Sequence, residues 1–267
     1  MDSPNVVAIV QARMNSGRFP GKVLEYIYED ITVLQMVCDR LINVKEIDHV
    51  LVATSTNPKD DAIEQFCKRL TIPCFRGPED NLMERMILAT DSFDCDIIVD
   101  ITADCPLVDP TLVSAAINYL RLGEGELDYC SNVGVRTFPD GLDVQVYTHS
   151  AFVKLSNLPT EQEHTGINFQ MYPQYFKMHT LKLSDLGWPE AFQHPEWELT
   201  VDHPEDLDLL RILIAWQNDK DVMDLCTGHF VDTAEILNLI CEHPALLKIN
   251  SKLMRKKASN PHAEVIA

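Results

Sequence analysis

The sequence predicts an α/β fold with a doubly wound, mostly parallel sheet and a small second lobe. Two observations support this. Short apolar runs rich in valine and isoleucine alternate along the chain with longer segments whose apolar residues recur at helical spacing. The runs are continuous, which is typical of strands that helices cover on both faces. The 267 residues exceed the roughly 150 of an average domain, but α/β domains of about 250 are common.

The first elements predict a β-α-β unit. Residues 6–10 are a continuous apolar run, residues 31–44 have helical periodicity, and residues 49–53 form a second short run. The alternation then continues with a helix at 58–70, a strand at 72–75, a helix at 81–93, a strand at 96–101 and a helix that begins at Asp109-Pro110. Residues 1–122 are therefore expected to form a nucleotide-binding α/β part.

Beyond residue 122 the pattern loosens, because glycine and proline interrupt the periodic segments. We expect residues 123–197 to form a lobe for acceptor binding and dimerisation, with strands at 144–147 and 175–183 and a helix at 161–171. Residues 198–255 should return to the core sheet, through a strand at 198–201, a helix at 203–218 and helical segments at 232–241 and 244–253. Residues 256–267 are predicted to be a disordered tail.

The charge balance argues against two classes of partner. With 22 basic and 41 acidic residues the net charge is −19, so we expect neither nucleic acid nor a membrane as a partner. The eight cysteines contain no CxxC pair, which indicates reduced thiols rather than a zinc finger. The apolar run after Asn5 is too short for a signal peptide. Together these features predict a cytoplasmic protein.

The loop after the first strand is a local exception to the acidic charge. It reads ARMNSGRFPGKVL, residues 12–24, and contains Arg13, Arg18 and Lys22 but no carboxylate. Ser16 and the glycines Gly17 and Gly21 would let backbone N–H groups approach a phosphate. The segment is neither a P-loop nor a dinucleotide fingerprint, since GxxxxGK[ST] and GxGxxG are absent. A solvated loop whose cations pair with surrounding acids would fit the composition equally well.

Two aspartates follow predicted strands and could meet at the same edge of the sheet. Asp104 comes after the strand at 96–101, and Asp202 after the strand at 198–201. Such a pair would suit Mg²⁺ that bridges phosphate oxygens. Each aspartate also has a structural interpretation, because Asp202 could cap the next helix, with Glu205 three positions later, and Asp104 could be a turn residue.

Five motifs together resemble one family. They are IVQARMNSGRFPGKVL at 9–24, ITADCPLVDP at 101–110, SNVGVRTFPDGLDVQVY at 131–147, EQEHTG at 161–166 and LTVDHPEDLDLL at 199–210. These segments are similar to the spore coat polysaccharide biosynthesis branch of the cytidylyltransferases, whose relatives activate acylneuraminate and ketodeoxyoctulosonate sugars. The resemblance implies a mixed sheet of the nucleotide-diphospho-sugar transferase type and a homodimer. It implies transfer of CMP from CTP to a sugar or sugar-like acceptor, with Mg²⁺ and release of pyrophosphate, in surface polysaccharide synthesis.

The resemblance also implies roles for individual residues. Arg13, Lys22 and Asp104 would be catalytic, and Asp104 and Asp202 would hold the metal. The nucleotide would be bound by Ala12, Arg13, Ser16, Gly17, Arg18, Lys22, Thr54, Arg76, Asn81 and Asp104. The acceptor would be bound by Arg136, Asp140, Asp143, Gln145, Glu163 and His164. Asp140-Gly141 could alternatively be a simple turn, and an isolated histidine is more often structural than catalytic.

Two features leave alternatives open. The family usually has arginine where this chain has Asp100, so Asp100 could be an outer-shell metal ligand or could alter the choice of acceptor. Another nucleotide, GTP or UTP, with a sugar phosphate would fit the same loop. A metal-dependent glycosyltransferase would use a DxD motif, but Asp94-Cys95-Asp96 precedes its strand and so lies at the wrong end of the sheet.

Overall fold

The computed structural model describes residues 3–122, 126–160, 164–220, 231–251 and 253. In these ranges the strands are β1 Val6–Gln11, β2 Tyr26–Tyr28, β3 Ile31–Thr32, β4 His49–Ser55, β5 Cys74–Gly77, β6 Ile97–Thr102, β7 Tyr129–Ser131, β8 Gln145–Thr148 and β9 Met178–Thr180. The α-helices are α1 Val33–Ile42, α2 Asp61–Leu70, α3 Leu82–Asp91, α4 Pro110–Leu122, α5 His149–Ser156, α6 Thr165–Met171, α7 Pro204–Lys220 and α8 Thr233–Glu242.

Seven of these strands form one mixed sheet in the order β5-β4-β1-β6-β8-β7-β9. The strands β5, β4, β1 and β6 are mutually parallel, so their carboxyl ends share one edge. Strand β8 is antiparallel to β6. Its first residue, Gln145, therefore lies toward the edge where the parallel strands end. This architecture confirms the predicted doubly wound, mostly parallel sheet.

Strand β1 shows why its sequence is continuously apolar. Val6, Ala8 and Val10 pack with α1, α2, α4 and the C-terminal helices α7 and α8, whereas Val7 and Ile9 pack with α3, α5 and α6 on the other face. All five side chains are fully buried. Burial of a valine or isoleucine contributes about 1.5 to 3 kcal/mol, so both faces of this central strand stabilise the core.

The structure differs from the predicted elements at two places before residue 80. The helix predicted from residue 31 begins at Val33, because β3 pairs with β2 in a hairpin and the Thr32 side chain caps α1. The strand predicted at 72–75 lies at Cys74–Gly77. Periodicity locates such elements well but their ends poorly, since pairing and caps set the ends.

The segment 123–197 does not start a separate sheet. Its strands β7, β8 and β9 extend the same sheet beyond β6. The strand predicted at 198–201 is wrong, because Glu198 forms only an isolated bridge with Asp140. Residues 244–253 contain a 3-10 helix at Pro244–Ile249, and the predicted tail at 256–267 lies outside the described residues. None of the described helices has the length and apolar character needed to cross a membrane.

Candidate active site

The loop after β1 is a compact turn held by backbone contacts. The carbonyl of Met14 accepts hydrogen bonds from the N–H groups of Ser16 and Gly21, at 3.0 and 2.9 Å. The Met14 N–H in turn donates to Oδ1 of the buried Asp60, at 2.7 Å. Gly21 has φ 78°, a conformation that favours glycine. The turn therefore fixes where the next residue, Lys22, leaves the loop.

These contacts involve some of the backbone N–H groups that were expected to approach a phosphate. The N–H groups of Ser16 and Gly21 already donate to Met14, and that of Ala12 donates to the Ala53 carbonyl at 3.1 Å. At Gly17, by contrast, a Cβ would meet nothing within 4 Å. The turn thus uses the N–H groups of Ser16 and Gly21 internally, and phosphate binding by Ser16, Gly17 and Gly21 remains a prediction.

Lys22 connects the two predicted metal carboxylates. Its Nζ lies 2.6 Å from Oδ2 of Asp104 and 2.8 Å from Oδ1 of Asp202. Lys22 is only 7% exposed although it belongs to a loop. Asp104 follows β6, and Asp202 lies shortly before α7. Residues that are 82 and 180 positions from Lys22 in sequence thus meet at one ammonium group.

The carboxylate of Asp202 is not the cap of α7. Its Oδ2 forms an ion pair with Nη2 of Arg18 at 2.7 Å. The backbone N–H groups of Asp202 and His203 donate instead to Oδ2 of Asp206, at 3.0 and 2.7 Å. Asp206, in the first turn of α7, thus accepts from the N–H groups that precede the helix, and the Asp202 side chain pairs with the basic loop instead of capping α7.

Electrostatics keeps this cluster ionised. Burial opposes the charge on Lys22, but attraction and hydrogen bonds from Asp104 and Asp202 outweigh it and raise the pKa of the amine. Burial likewise opposes ionisation of Asp104, but Lys22 outweighs it and lowers the pKa of that carboxyl. Both shifts favour the charged forms of Lys22 and Asp104.

The donor set fits a magnesium ion. Mg²⁺ in nucleotide enzymes is usually bound by one or two carboxylates, with waters and phosphate oxygens completing its shell. Asp104 and Asp202 supply two carboxylates, and the Lys22 ammonium between them shows that this position accepts a cation. Within the described ranges, no group of three or more histidine, cysteine, aspartate or glutamate residues could hold a metal.

Arg13 has a neighbour that sequence reasoning missed. The exposed Arg13 is close enough to Arg85 on α3 for the two cations to repel. Burial, and then Arg13, lower the pKa of Arg85. Arg85 is 7% exposed, and its Nη1 donates to the carbonyls of Pro78 and Glu79 at 2.6 and 3.2 Å. Sequence reasoning could have found Arg85, because it is an arginine among the apolar positions of the helix predicted at 81–93.

Three of the predicted acceptor residues lie together. Nη2 of Arg136 is 2.8 Å from Oδ2 of Asp143, and Nη1 is 3.2 Å from Oδ1 of Asp140. Burial raises the pKa of Asp143 to about 7, helped by repulsion from Asp140 and Asp104 and opposed by Arg136. The repulsion between Asp143 and Asp104 indicates that this group lies near the Lys22 cluster.

The remaining acceptor residues lie near the start of β8 and of α6. Gln145 is the first residue of β8, and the exposed His164 directly precedes α6. Glu163 lies outside the described residues. Asp140-Gly141 is a turn, as the alternative proposed, since Gly141 has φ 100°. The same turn nevertheless carries Asp140 to Arg136.

Asp100 is buried below the cluster. It is 2% exposed and accepts hydrogen bonds from Nε2 of Gln11 and from the Tyr147 hydroxyl, the latter at 3.1 Å. Burial raises its pKa to about 6, against hydrogen bonds from Gln11, Thr165 and Tyr147. The hydrogen bonds with Gln11 and Tyr147 connect Asp100 to β1 and β8, and neither involves Lys22, Asp104 or Asp202.

The cytidylyltransferase family model matches residues 7–217, which include the basic loop, Asp104 and Asp202. The chain belongs to the cytidylyltransferase family. The resemblance inferred from the five motifs is thereby confirmed. The protein is a CTP-dependent nucleotidyltransferase.

Relatives of this cytidylyltransferase cover most of its length. It is 26% identical over 248 residues to the spore coat polysaccharide biosynthesis protein SpsF of Bacillus subtilis, which covers 90% of this chain and 95% of SpsF. It is 28% identical over 254 residues to an uncharacterised protein of Methanocaldococcus jannaschii, with 94% and 96% covered. A 3-deoxy-manno-octulosonate cytidylyltransferase of Syntrophotalea carbinolica is 32% identical over 113 residues, 42% of this chain and 44% of that enzyme.

Solved structures share the fold. A cytidylyltransferase from Leptospira borgpetersenii superposes with a TM-score of 0.81 and 26% identity, covering 95% of this chain and all of the other. A CMP:2-keto-3-deoxy-manno-octonic acid synthetase complexed with CTP has a TM-score of 0.62 at 18% identity, covering 80% and 99%. The predicted nucleotide-diphospho-sugar transferase fold is confirmed.

Two of the three residues predicted to bind the nucleotide base have structural partners in this cytidylyltransferase. Arg76 pairs with Asp61 and Glu64 of α2, both at 2.7 Å, and Asn81 caps α3 by accepting from the Glu84 N–H. Thr54 is fully buried, and among the described residues its hydroxyl has no hydrogen-bond partner. The contacts of Arg76 and Asn81 explain those two residues without a ligand, and nucleotide binding by all three remains a prediction.

The DxD motif that suggested a glycosyltransferase lies at the opposite end of the sheet. Oδ2 of Asp96 accepts a hydrogen bond from the Asn5 N–H at 2.8 Å, directly before β1. The Asp94 carbonyl accepts from the Asn5 side chain. The motif thus joins the starts of β1 and β6 and lies far from the ends of the strands that carry Lys22 and Asp104.

Proposed function

We propose that this cytidylyltransferase transfers CMP from CTP to a hydroxylated sugar-like acceptor for surface polysaccharide synthesis. The observation that carries the proposal is the convergence of Lys22, Asp104 and Asp202 at the edge where the parallel strands end. The names of SpsF and of the octulosonate cytidylyltransferase support the acceptor class.

In the proposed reaction an acceptor hydroxyl oxygen attacks the α-phosphorus of CTP. The new bond joins that oxygen to phosphorus, the bond to the bridging oxygen breaks, and pyrophosphate leaves with the electron pair, while the hydroxyl proton passes to solvent. Such a step needs positioning and charge neutralisation more than covalent help from the protein. Arg13, Arg18 and Lys22 are the cations we assign to the leaving phosphates.

Asp104 and Asp202 would hold Mg²⁺. When bound, the ion supplies charge neutralisation at phosphate oxygens and lowers the pKa of a coordinated hydroxyl. In this proposal the Lys22 ammonium moves from the two carboxylates to the triphosphate. The carboxylates are then free to bind the metal. Arg18, whose side chain is 35% exposed, can reach the same phosphates from solvent.

A thermal-shift panel of CTP, UTP, GTP and ATP with Mg²⁺ tests the nucleotide. A ligand present at 100 times its Kd stabilises the folded state by about 2.7 kcal/mol. We expect CTP to give the largest shift. A larger shift with UTP or GTP would contradict the proposal and favour a sugar-phosphate nucleotidyltransferase.

The Asp104→Asn variant tests the metal assignment by pyrophosphate release. The amide keeps the shape of the carboxylate but loses its charge, so we expect the rate to fall on the order of 100-fold or more. Asp94→Asn is the matched control, because Asp94 is exposed at the opposite end of β6, and its rate should stay within about twofold. An unchanged rate in Asp104→Asn would contradict the assignment.

We also propose a cytoplasmic homodimer formed through residues 123–197. The support is that β9 ends the order of the described sheet and so has one unpaired edge. Light scattering coupled to size exclusion tests the dimer, and a monomer mass at micromolar concentration would contradict it.

A further inference from the structure

Polar side chains from the four adjacent strands β1, β6, β8 and β7 form a row across the sheet. Asp100 on β6 is the cross-strand partner of Gln145 on β8, and Tyr147 lies two residues further along β8 on the same face. Tyr129 on β7 is paired with Tyr147, and Gln11 ends β1. The row therefore lies close to the ligand edge, in a part of the molecule that is otherwise an apolar core.

Tyr129 fixes the orientation of the Gln145 amide. The Tyr129 hydroxyl donates to Oε1 of Gln145 at 3.0 Å. Tyr129 is 3% exposed and its ring stacks on Phe169 with centroids 4.6 Å apart, so the hydroxyl cannot swing away. With Oε1 held by a donor, the Nε2 group of Gln145 is the end that remains to donate.

Gly166 provides the space that Gln145 needs. A Cβ at Gly166 would overlap Oε1 of Gln145 and would lie 2.8 Å from Cδ and 3.2 Å from Nε2. Oε1 is therefore the end of the amide nearest to α6, which agrees with the hydrogen bond from Tyr129. Any larger residue at position 166 would push the amide out of this orientation.

Asp100 fixes the orientation of a second amide, that of Gln11. Here the Nε2 end is held and the Oε1 end is left, the reverse of Gln145. Asp100 accepts a hydrogen bond from Nε2 of Gln11, and the Tyr147 hydroxyl holds its other oxygen at 3.1 Å. A carboxylate can only accept, so Gln11 must turn Nε2 toward it. The Oε1 of Gln11 is then the end that remains to accept from a ligand.

We propose that Tyr129, Gly166 and Asp100 are positioning residues that hold two amides for neighbouring hydroxyl groups of the acceptor. Gln145 donates to one hydroxyl oxygen, and Gln11 accepts the proton of another. A hydroxyl group can both donate and accept, so a polyhydroxylated sugar satisfies both amides at once. This inference rests on the proposed function and names the residues that recognise its acceptor.

The test uses Gly166→Ala, Gln145→Ala and the double variant, with pyrophosphate release from CTP and Mg²⁺. The probes are 3-deoxy-manno-octulosonate and its 8-amino-3,8-dideoxy counterpart, and the better of the two is used. We expect each single variant to raise the KM for the acceptor about tenfold and to leave the KM for CTP within about twofold. The double variant should be no worse than Gln145→Ala, because the amide that collides with the added methyl group is then absent.

Tyr129→Phe keeps the ring packing and removes only the hydroxyl, so it covers the case in which Gly166→Ala fails to fold. It should also raise the KM for the acceptor and leave kcat and the KM for CTP nearly unchanged. The positioning role would be overturned if the double variant raised the KM for the acceptor by the product of the two single effects. It would also be overturned if a variant raised the KM for the acceptor and the KM for CTP equally.

A protein that CTP and Mg²⁺ stabilise but that turns over neither probe would overturn the inferred acceptor recognition and leave CTP use intact. A protein that CTP does not stabilise would instead contradict the proposed function.

Discussion

The ammonium of Lys22 is the counter-ion of Asp104 and Asp202 while no ligand is bound. The three groups are largely buried, with side-chain exposures of 8%, 23% and 17%. Removing one partner of a buried ion pair costs roughly 3 to 5 kcal/mol, because the other charge is left uncompensated. The same residue therefore serves stability in the free protein and phosphate binding in the proposed complex.

Lys22→Met should lower the melting temperature in the absence of Mg²⁺. Added Mg²⁺ should stabilise the variant more than the wild type, since the two carboxylates are then free to bind it. Affinity for CTP should fall more than affinity for CMP, which calorimetry measures. Lys59→Met, at an exposed position, is the control for loss of charge. Equal stabilisation of variant and wild type by Mg²⁺ would contradict this account.

Asp100 makes stability depend on pH. Burial raises its pKa from 3.8 to about 6, so the folded state binds a proton more tightly than the unfolded state does. The contribution of Asp100 to stability is then greatest below pH 4 and falls as the pH rises to about 6. Asp100→Asn removes this titration. Its stability relative to wild type should rise between pH 4 and 6, by up to about 3 kcal/mol, in urea unfolding. A constant difference across this range would refute the expectation.

At the scale of elements, the turn at Gly141 holds the segment that carries Asp202. The Asp140 N–H donates to the Trp197 carbonyl at 2.9 Å, and the Leu199 N–H donates to the Asp140 carbonyl at 2.8 Å. A Cβ at Gly141 would lie 2.5 Å from the carbonyl carbon of Leu199. Only glycine permits this approach, and the close contact replaces the strand that the sequence predicted at 198–201.

Gly141→Ala should therefore destabilise the protein and weaken CTP binding together. Gly187→Ala is a matched control, because Gly187 also has positive φ, 66°, but a Cβ there meets nothing within 4 Å. The control should lose only about 1 kcal/mol from backbone strain, and Gly141→Ala should lose clearly more in chemical denaturation. Equal losses would show that the contact with Leu199 is unimportant.

The sequence predicted the elements with strong periodicity and missed those that depend on partners. Strand β1 and helix α4 were found because apolar runs and an Asp-Pro start are local signals. Strand β7 has three residues and exists because β8 and β9 pair with it. The position of Asp104 was predictable from the end of β6, whereas Asp202 reaches the same place without the strand predicted at 198–201. The pairing of Asp202 with Arg18, and the contact of Gln145 with Gly166, depend on tertiary geometry that no local pattern encodes.

At the scale of the molecule, the side chain of Arg40 connects segments that are far apart in the sequence. From α1, its Nε donates to the Val108 carbonyl at 2.6 Å and its Nη2 donates to the hydroxyl of Thr233 at 2.5 Å. A further bond reaches the carbonyl of Val231. Burial lowers the pKa of Arg40 to about 10, against attraction to Asp109. One arginine thus connects α1, the loop before α4 and the start of α8.

Arg40→Leu should destabilise the whole fold by roughly 3 to 5 kcal/mol, because it leaves several buried acceptors without a donor. Arg69→Leu, at an exposed position on α2, should change stability by about 0.5 kcal/mol or less. Urea unfolding measures both. A loss of less than about 1 kcal/mol in Arg40→Leu would show that water replaces the guanidinium.

If Lys22 binds the triphosphate as proposed, its ion pairs with Asp104 and Asp202 also couple metal binding to nucleotide binding. Free Mg²⁺ meets a rival cation that is covalently attached to the chain and so never diffuses away. A triphosphate that draws Lys22 toward itself vacates both oxygens, so nucleotide and metal are expected to enter as a pair. Each should raise the affinity for the other by the same factor. The resting enzyme would thereby ignore the abundant metal of its surroundings until its nucleotide arrives.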